Sequence, residues 1–530
     1  MRIPRQPPAW AFGVFCALVL LTAGGRRLEL RGDGREYILQ TQALALRGEL
    51  CIDTAAARAY WNRTNPFGVE LEGTRPPASE LTEQSQAGGG FGGLYPDRRG
   101  AYRYIHFWGY ALAVAPVYLL LHGLGGSGWE YHAFRAVNLL CFLLPFGLAW
   151  RRSRSWPLLV ISLLALLTPL PAYVSWPHPE LFCFGLTLTA LLTAGRPRLH
   201  GLSALLLAVA AAQNLPILFF FPVHLIAALP RQPGTLAHES TDWKPVPFAQ
   251  LVSRLASYLP AVLLITLTLV WSKHRFGVFN VIAGLGLARL EYASWPRVAD
   301  VFLSPLIGAV WFYPMCFLLL PALARRRQAE LLATVVLTTG GATWLATATA
   351  NFSSDQAGAL RYTTWLLAPL WFVLLDAAAE GRLRRAVFLV GVCVTLAVFG
   401  CYHSGRWWRG DDHQLCLRPA AALYRWLHYA DDPEVLAESI MGRELPRSAA
   451  FHGAYLWNLG PRDTLWLISR RWADLNPALM PALAAGAAWR RHPFLGDYLL
   501  LWKPDPVHGL ECDGPTFIRD EQGRLIQPRP

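Results

Sequence analysis

The sequence contains little charge for its length. Only 16% of the 530 residues are charged, whereas 54% are hydrophobic. Soluble domains carry charges on about a quarter of their residues, because their surfaces face water. The composition therefore excludes a water-soluble globular enzyme.

Lysine is almost absent from a chain that is nonetheless basic. The 48 basic and 35 acidic residues give a net charge of +13, but only Lys244, Lys273 and Lys503 are lysines. The basic excess is therefore arginine, and no RNA-binding, zinc-finger or helix-turn-helix pattern accompanies it. We interpret the arginines as loop charges that orient a membrane protein, and we expect no nucleic-acid partner.

The nine cysteines include no CxxC pair, which excludes the usual patterns of structural zinc and iron–sulfur sites. We expect no cofactor, and metal dependence stays open. Cys416 and Cys512 lie in a tail that we expect to be external, where an oxidising compartment favours disulfides. We predict that these two cysteines pair, with Cys51 as the competing partner.

Long apolar runs are abundant. A helix needs about 20 apolar residues to cross a hydrocarbon core about 30 Å thick. The first run follows Arg2 and Arg5 as in a signal peptide, but no small-residue cleavage site follows it, so we predict a retained helix. Eleven spans are predicted, at 9–25, 133–150, 156–173, 180–194, 201–213, 215–230, 252–271, 303–323, 329–349, 362–378 and 386–402.

Loop charge decides two ambiguous stretches. Residues 104–121 are interrupted by Gly109 and Pro116, so we place them on the outer surface, and residues 201–230 break in the middle, so we predict a hairpin. This arrangement leaves only Arg361 as a basic residue in the short outward loops. Four short cytoplasmic loops then hold eleven arginines: Arg151, Arg152, Arg154, Arg196, Arg198, Arg325, Arg326, Arg327, Arg382, Arg384 and Arg385.

The predicted fold is an all-α polytopic membrane protein with about 11 transmembrane helices, placed in the inner or plasma membrane. The N-terminus is expected in the cytoplasm and the C-terminus on the external or periplasmic side. Residues 1–402 form the transmembrane module, with a large first external loop at 26–132, and residues 403–530 form a small external domain. The first loop opens with an amphipathic juxtamembrane helix, Asp33 to Arg47, which Gly48 closes.

Polar residues of the types used in catalysis and ligand binding lie on the predicted outward side. The spans contain almost no charge, whereas an ion-coupled transporter needs ionisable groups within the membrane. A mixed site of carboxylates and cations suits an anionic lipid-linked substrate and a proton-abstracting base. The residues that reach the outer helix ends are Asp33, Glu36, Arg103, His106, His178, Glu180, Lys273, His274, Arg275, Asp355 and Arg361.

Four stretches follow one another in a recognisable order. They are GDGREYILQTQALALRGEL at 32–50, YIHFWGYALAVAPVYLLLHGLGG at 104–126, LPAYVSWPHPELFCFG at 170–185 and NFSSDQAGALRYTTWLLAPL at 351–370. In this order the chain resembles the GT-C-fold membrane glycosyltransferases. That superfamily includes the protein O-mannosyltransferases, the aminoarabinose lipid A transferase and the arabinofuranosyltransferases. The last stretch departs from the Gly-x-Arg-Tyr pattern, since two residues separate Gly358 from Arg361.

The resemblance implies an inverting transfer at the outer face from a polyprenyl-phosphate sugar to a glycan, lipid or protein acceptor, in contact with membrane lipids. Asp33 matches the acidic position and is the expected base, with Glu36 as second choice one helical turn away. Many members have two adjacent acidic residues here, whereas Gly34 follows Asp33 in this chain. This departure argues against a metal-binding role.

The resemblance also implies roles for the later stretches. Either His178 or Glu180 matches the acidic position of the second external loop, and Glu180 is preferred because a carboxylate accepts hydrogen bonds at any physiological pH. Arg361 is expected to bind the donor phosphate, with Tyr362 beside it at the headgroup level. From their outward position, we also expect Arg103, Lys273 and Arg275 to bind substrate.

Each assignment has a structural alternative. Asp33 suits the N-cap of its helix, Glu180 suits a helix start, and Lys273 and Arg275 suit headgroup contacts. His106 lies on an apolar aromatic segment, which favours a packed interfacial histidine. The rival functions are a lipid-linked glycan flippase or other transporter, a polysaccharide polymerase or ligase, and a membrane scaffold.

Overall fold

A computed structural model describes most of the first 403 residues and short strands of the tail. The described ranges are 6–25, 33–51, 94–125, 129, 131–229, 248–318, 326–349, 352, 359–381, 383 and 385–403, with residue 435 and eight strands beyond 447. These residues are mostly helical, as predicted. Two residues named in the sequence predictions, Asp355 and Cys416, lie outside the described residues.

The first half of the chain forms helices on either side of one β-hairpin. The elements are α1 Trp10–Gly24, α2 Gly34–Arg47, β1 Leu94–Pro96, β2 Tyr102–Tyr104, α3 Gly109–Gly125, α4 His132–Arg152, α5 Trp156–Ala165, α6 Glu180–Thr193, α7 His200–Gln213 and α8 Phe221–Ala228. Short 3₁₀ turns at Leu170–Val174 and Leu215–Phe220 follow α5 and α7. The predicted break within 201–230 is therefore confirmed.

The second half continues as helices up to the tail. They are α9 Phe248–Ala256, α10 Leu259–Phe276, α11 Val281–Gly284, α12 Trp295–Leu303, α13 Ala309–Phe312, α14 Pro314–Leu318, α15 Arg326–Ala346, α16 Thr363–Leu366, α17 Ala368–Ala379 and α18 Arg385–His403.

Two helical stretches of the described chain are long and apolar enough to cross a membrane. They are His132–Arg152 and Val252–Gly284, and eight shorter apolar helices of 10 to 17 residues accompany them. Residues 109–121 of the stretch predicted to lie on the outer surface belong to one of these shorter helices, α3.

The prediction of one continuous span over 303–323 is wrong for the described residues 303–318. Helix α12 ends at Leu303, and the Ser304 hydroxyl accepts hydrogen bonds from the backbone N–H groups of Leu306 and Ile307. Pro305 and Pro314 lack the N–H that a continuous helix requires, so the apolar run folds into short helical pieces.

Helix α2 and its cap are confirmed. Gly48 follows Arg47 with φ of +68°, a left-handed conformation that glycine adopts without steric cost, and its N–H donates to the carbonyl of Leu44. At the other end, the Asp33 carboxylate makes no capping hydrogen bond, although the Asp33 backbone carbonyl accepts from Tyr37 N–H. The Asp33 carboxylate therefore does not cap helix α2.

The chain divides into two compact units, and the first contains residues 1–294, 312–349 and 361–399. In it, α6 packs against α4 and α7, and α7 packs against α10. Gly185 permits the closest of these approaches, because a methyl group there would lie 2.3 Å from the Cys141 backbone oxygen. Small residues of this kind let two helices approach at backbone distance.

The second unit contains the tail from residue 400 together with residues 295–311 and 350–360. Its described strands form an antiparallel sheet in the order β3-β4-β5-β7-β6 and a second sheet in the order β10-β9-β8. The strands are β3 Ser448–Phe451, β4 Ala454–Asn458, β5 Thr464–Ser469, β6 Ala488–Arg491, β7 Tyr498–Lys503, β8 Glu511–Asp513, β9 Phe517–Arg519 and β10 Leu525–Ile526. Cys512 lies in β8, and the competing Cys51 is a free thiol.

Candidate functional site

Four separate chain segments of the first unit converge on Asp33. Its Oδ2 atom lies 3.4 Å from His106 Nε2, 3.6 Å from His178 Nε2 and 3.6 Å from Arg361 Nη1. Glu180 joins the group, with its Oε1 3.5 Å from His178 Nδ1 and 3.9 Å from Arg361 Nε. We call these five residues the Asp33 cluster.

Each segment of the Asp33 cluster comes from one of the four stretches identified in the sequence. Asp33 precedes α2, and His106 lies between β2 and α3. His178 and Glu180 lie at the entry to α6, and Arg361 lies two residues before α16. The cluster is therefore assembled by helix ends and turns, where side chains are not committed to helix packing.

Gly34 lets helix α2 begin directly against the loop that carries His178. A methyl group on Gly34 would lie 3.2 Å from the Pro177 side chain and 3.4 Å from the Pro177 carbonyl oxygen. A side chain at this position would require the Pro177 loop to shift by a few tenths of an ångström. The close contact therefore favours glycine after Asp33.

Asn138, buried in α4, holds the loop that presents His178 and Glu180. Its side-chain amide donates to the backbone carbonyls of Tyr173 at 3.1 Å and Trp176 at 2.8 Å, and its oxygen accepts from the Tyr110 hydroxyl at 2.9 Å. These bonds satisfy carbonyl groups that the loop leaves unpaired inside the protein. The hydrogen bonds from Asn138 of α4 therefore fix the conformation of this loop.

Aromatic side chains enclose the Asp33 cluster. The Tyr37 ring, on the first turns of α2, packs edge-on against Tyr104 at 5.0 Å and against His178 at 5.8 Å. Its hydroxyl accepts a hydrogen bond from the Gln213 side chain at 2.8 Å. The Trp176 ring lies 4.7 Å from His178 on another side. Electrostatic interactions in such an enclosure are stronger than in water.

The cluster is partly exposed at Asp33 and His106. The side chain of Asp33 is 29% exposed and that of His106 is 20% exposed, whereas those of His178 and Glu180 are 3% and 2% exposed. Arg361 donates from Nη2 to the Tyr362 hydroxyl at 3.2 Å, and its guanidinium lies 5.0 Å from the centre of that ring. Asp33 and His106 are therefore the most exposed members of the cluster.

The charges of the cluster change the acidity of its exposed members. Burial by itself would raise the pKa of Asp33, but His106, His178 and Arg361 hold it well below its usual range. The protein packed around the His106 imidazole lowers its pKa to about 4, and Arg361 and His178 act in the same direction, against the opposing charge of Asp33. At neutral pH, Asp33 is ionised and His106 is neutral.

The remaining predicted site residues lie elsewhere. Arg103 donates from Nε to Asp97 at 2.7 Å, and Arg275 Nη1 lies 3.9 Å from the same Asp97 oxygen. The Lys273 ammonium lies 5.4 Å from the centre of the Phe279 ring. Glu36 is buried in the first turn of α2. Arg103 and Arg275 therefore fasten the β1–β2 hairpin to the end of α10.

Within the described ranges, no three His, Cys, Asp or Glu side chains are grouped so that they could hold one metal ion.

Comparison with known protein families, curated proteins and solved structures gives no match. The functional assignment therefore depends on the geometry of the Asp33 cluster. His106 is the member that the sequence interpretation placed outside the chemistry. The sequence did contain one indication of this role. Each of the other three stretches supplied a predicted site residue, and His106 is the histidine of the second stretch that lies close to Asp33.

Proposed function

We propose that this chain is a membrane glycosyltransferase of GT-C type that transfers a sugar from a polyprenyl phosphate to an acceptor at the external or periplasmic face. The transfer inverts the anomeric centre and uses no nucleotide sugar. The acceptor class is a glycan, a lipid or a protein.

The membrane setting is supported by the apolar surface of the helices. On α10, more than half of the surface is exposed for each of Leu259, Val262, Leu263, Leu267 and Val270. An exposed apolar face of this extent is unfavourable in water and favourable against lipid tails. We propose the topology of eleven spans, with the N-terminus in the cytoplasm and the Asp33 cluster outside.

One observation carries the proposal. The four stretches that resemble the GT-C superfamily are separated by up to 328 positions between Asp33 and Arg361. Each nevertheless supplies a polar residue that lies within 4 Å of at least one other residue of the Asp33 cluster. Chance similarity in four unrelated segments would not bring their carboxylates and cations together. The convergence also favours an enzyme over a scaffold.

The proposed roles follow from charge. Arg361 binds the donor phosphate, because its planar guanidinium stays protonated and donates two parallel hydrogen bonds. The phosphate gains negative charge as the glycosidic bond breaks, so the same contact strengthens in the transition state. The Asp33 carboxylate directs the acceptor hydroxyl and assists its deprotonation, and Glu180 holds Arg361 and His178 in place.

The test is donor consumption. The purified chain is reconstituted into liposomes with radiolabelled polyprenyl-phosphate sugars of several types, and a membrane extract supplies acceptors. We expect label to move from the donor to an acceptor and free polyprenyl phosphate to accumulate for at least one sugar. Donors that all stay intact, in liposomes where the protein is folded, would contradict the proposal.

A further inference from the structure

Resting on the proposed function, we propose that His106 is the group that takes the proton from the acceptor hydroxyl, while Asp33 orients His106 and stabilises its protonated form. The Asp33–His106 pair then acts as a base in two parts, in which the carboxylate never keeps the proton.

The first argument is the crowding of a single carboxylate oxygen. Asp33 Oδ2 has His106 Nε2, His178 Nε2 and Arg361 Nη1 all within 3.6 Å. Nitrogen donors on three sides stabilise the ionised carboxylate and weaken it as a proton acceptor. A base with a higher pKa receives the hydroxyl proton more readily, so His106, which contacts the same oxygen and has a pKa of about 4, is the stronger base of the pair.

The second argument separates the two histidines. His178 is enclosed, and its two ring nitrogens face Asp33 and Glu180. His106 faces Asp33 with Nε2 only, and its Nδ1 has no hydrogen-bonding partner in the part of the chain that the structure describes. With a side chain 20% exposed, His106 is the histidine that an acceptor can reach.

The third argument concerns charge state. The titratable and charged groups around the His106 ring come from five places in the chain. They are Asp33 just before α2, Tyr37 from α2, Tyr104 from β2, His178 from the loop before α6, and Arg361 from the turn before α16. The lowered pKa, about 4, keeps His106 neutral and able to accept a proton at neutral pH. Arg361 contributes to this lowering, so a donor phosphate that neutralises Arg361 makes His106 a stronger base.

The reaction step balances with these groups alone. The acceptor oxygen forms a bond to the anomeric carbon, and the bond from that carbon to the phosphate oxygen breaks. The bonding electron pair leaves with the polyprenyl phosphate. The hydroxyl proton moves to His106 Nδ1, and the Asp33 carboxylate stabilises the imidazolium through Nε2–H. The proton then passes to water on the outer side, which restores neutral His106.

The test compares His106→Ala and His106→Gln with the full-length wild type in liposomes. General-base catalysis contributes about 100-fold or more, so we expect both variants to lose at least about 100-fold in transfer rate while they still bind the donor. Added imidazole should restore transfer to His106→Ala by at least about tenfold, with substituted imidazoles rescuing in the order of their pKa. His132→Ala, which removes an exposed histidine outside the cluster, is the control and should keep the wild-type rate.

The pH profile supplies a readout that a structural role would not change. Because only neutral His106 accepts a proton, wild-type kcat/KM should rise with pH through about 4 and stay level above it. This rise should be absent in His106→Gln.

A His106→Gln rate within threefold of wild type would overturn the inference. So would loss of activity in His106→Ala that no imidazole restores, or a rise near pH 4 that persists in His106→Gln. These outcomes differ from failure of the proposed function, in which wild type itself consumes no donor.

Discussion

At the scale of single residues, Arg361 has the largest number of polar neighbours in the Asp33 cluster. It lies in a loop that is predicted to face outward and that holds no other basic residue. The structure adds that Arg361 contacts Asp33, His178, Glu180 and Tyr362. A guanidinium with this many neighbours is held in one orientation, which a phosphate ligand requires.

Replacing Arg361 with lysine should weaken donor use while the protein stays stable in the membrane. Lysine keeps the charge but loses the planar fork, and a charge-assisted hydrogen bond contributes about 1.5–3 kcal/mol. We expect kcat/KM for the polyprenyl-phosphate sugar to fall by about 10- to 100-fold. Steady-state kinetics in liposomes measures this, with Arg289→Lys, in an exposed ion pair with Glu291, as the control. Wild-type kinetics in Arg361→Lys would remove Arg361 from the site.

The sequence predicted most residues of the Asp33 cluster but not their contacts. Asp33, His178, Glu180 and Arg361 are polar residues at helix ends of an apolar chain, and this contrast is visible without a structure. The role of His106 was not visible, because an imidazole among aromatic residues has the same sequence context whether it packs or reacts. Only the 3.4 Å contact with Asp33 distinguishes the two cases.

At the scale of secondary-structure elements, periodicity and caps predicted well where the chain is regular. Helix α2 with Gly48 and the long helix α4 match their predictions closely. The run 303–323 did not, because apolar composition alone does not show how Pro305 and Pro314 divide a helix. The tail strands were also missed, although AYLWN and TLWLIS flank a Gly-Pro turn sequence that is typical of a β-hairpin.

The contact between α4 and α6 gives a prediction at this scale. In Gly185→Ala, the added methyl group would lie 2.3 Å from the Cys141 carbonyl oxygen, so the two helices must separate. Overpacking of this kind costs about 1–3 kcal/mol, and we expect it to displace the start of α6, which carries Glu180. We expect a lower thermal unfolding midpoint in detergent together with reduced transfer.

Gly340→Ala is the matched control for Gly185→Ala. Gly340 also lies inside a helix, α15, but a methyl group there meets nothing within 4 Å. Alanine favours a helix over glycine by about 1 kcal/mol, so this variant should be at least as stable as wild type. Equal stability of the two variants would show that α4 and α6 are not closely packed at Gly185.

At the scale of the whole molecule, the topology of eleven spans stays a prediction. In the part of the chain that the structure describes, two helical stretches are long and apolar enough to cross a membrane, and eight shorter apolar helices accompany them. The distribution of arginines carries the predicted orientation. The short loops predicted to be cytoplasmic hold eleven arginines, whereas those predicted to face outward hold only Arg361. Loop charge in the sequence predicts which side of the membrane a loop occupies, whereas the lengths of the helices depend on packing.

Reporter fusions test this topology directly. With a phosphatase reporter that is active only outside the cytoplasm, fusions at Gly90 and after Cys401 should both be active, because both positions are predicted to be external. A fusion at Arg196, in a predicted cytoplasmic loop, should be inactive. Cytoplasmic placement of Gly90 would put the first external loop on the wrong side and would contradict the outward position of the Asp33 cluster.

The central claim is that the Asp33 cluster performs sugar transfer from a polyprenyl phosphate, and Asp33→Asn tests it most directly. Asparagine keeps the volume of Asp33 but removes the charge that directs and stabilises the reacting groups. The measurement is single-turnover release of polyprenyl phosphate, together with donor binding, in liposomes. Glu291→Gln, which neutralises an exposed carboxylate outside the cluster, is the control. We expect release to slow by about 100-fold or more with donor binding retained; release at the wild-type rate in Asp33→Asn would contradict the account.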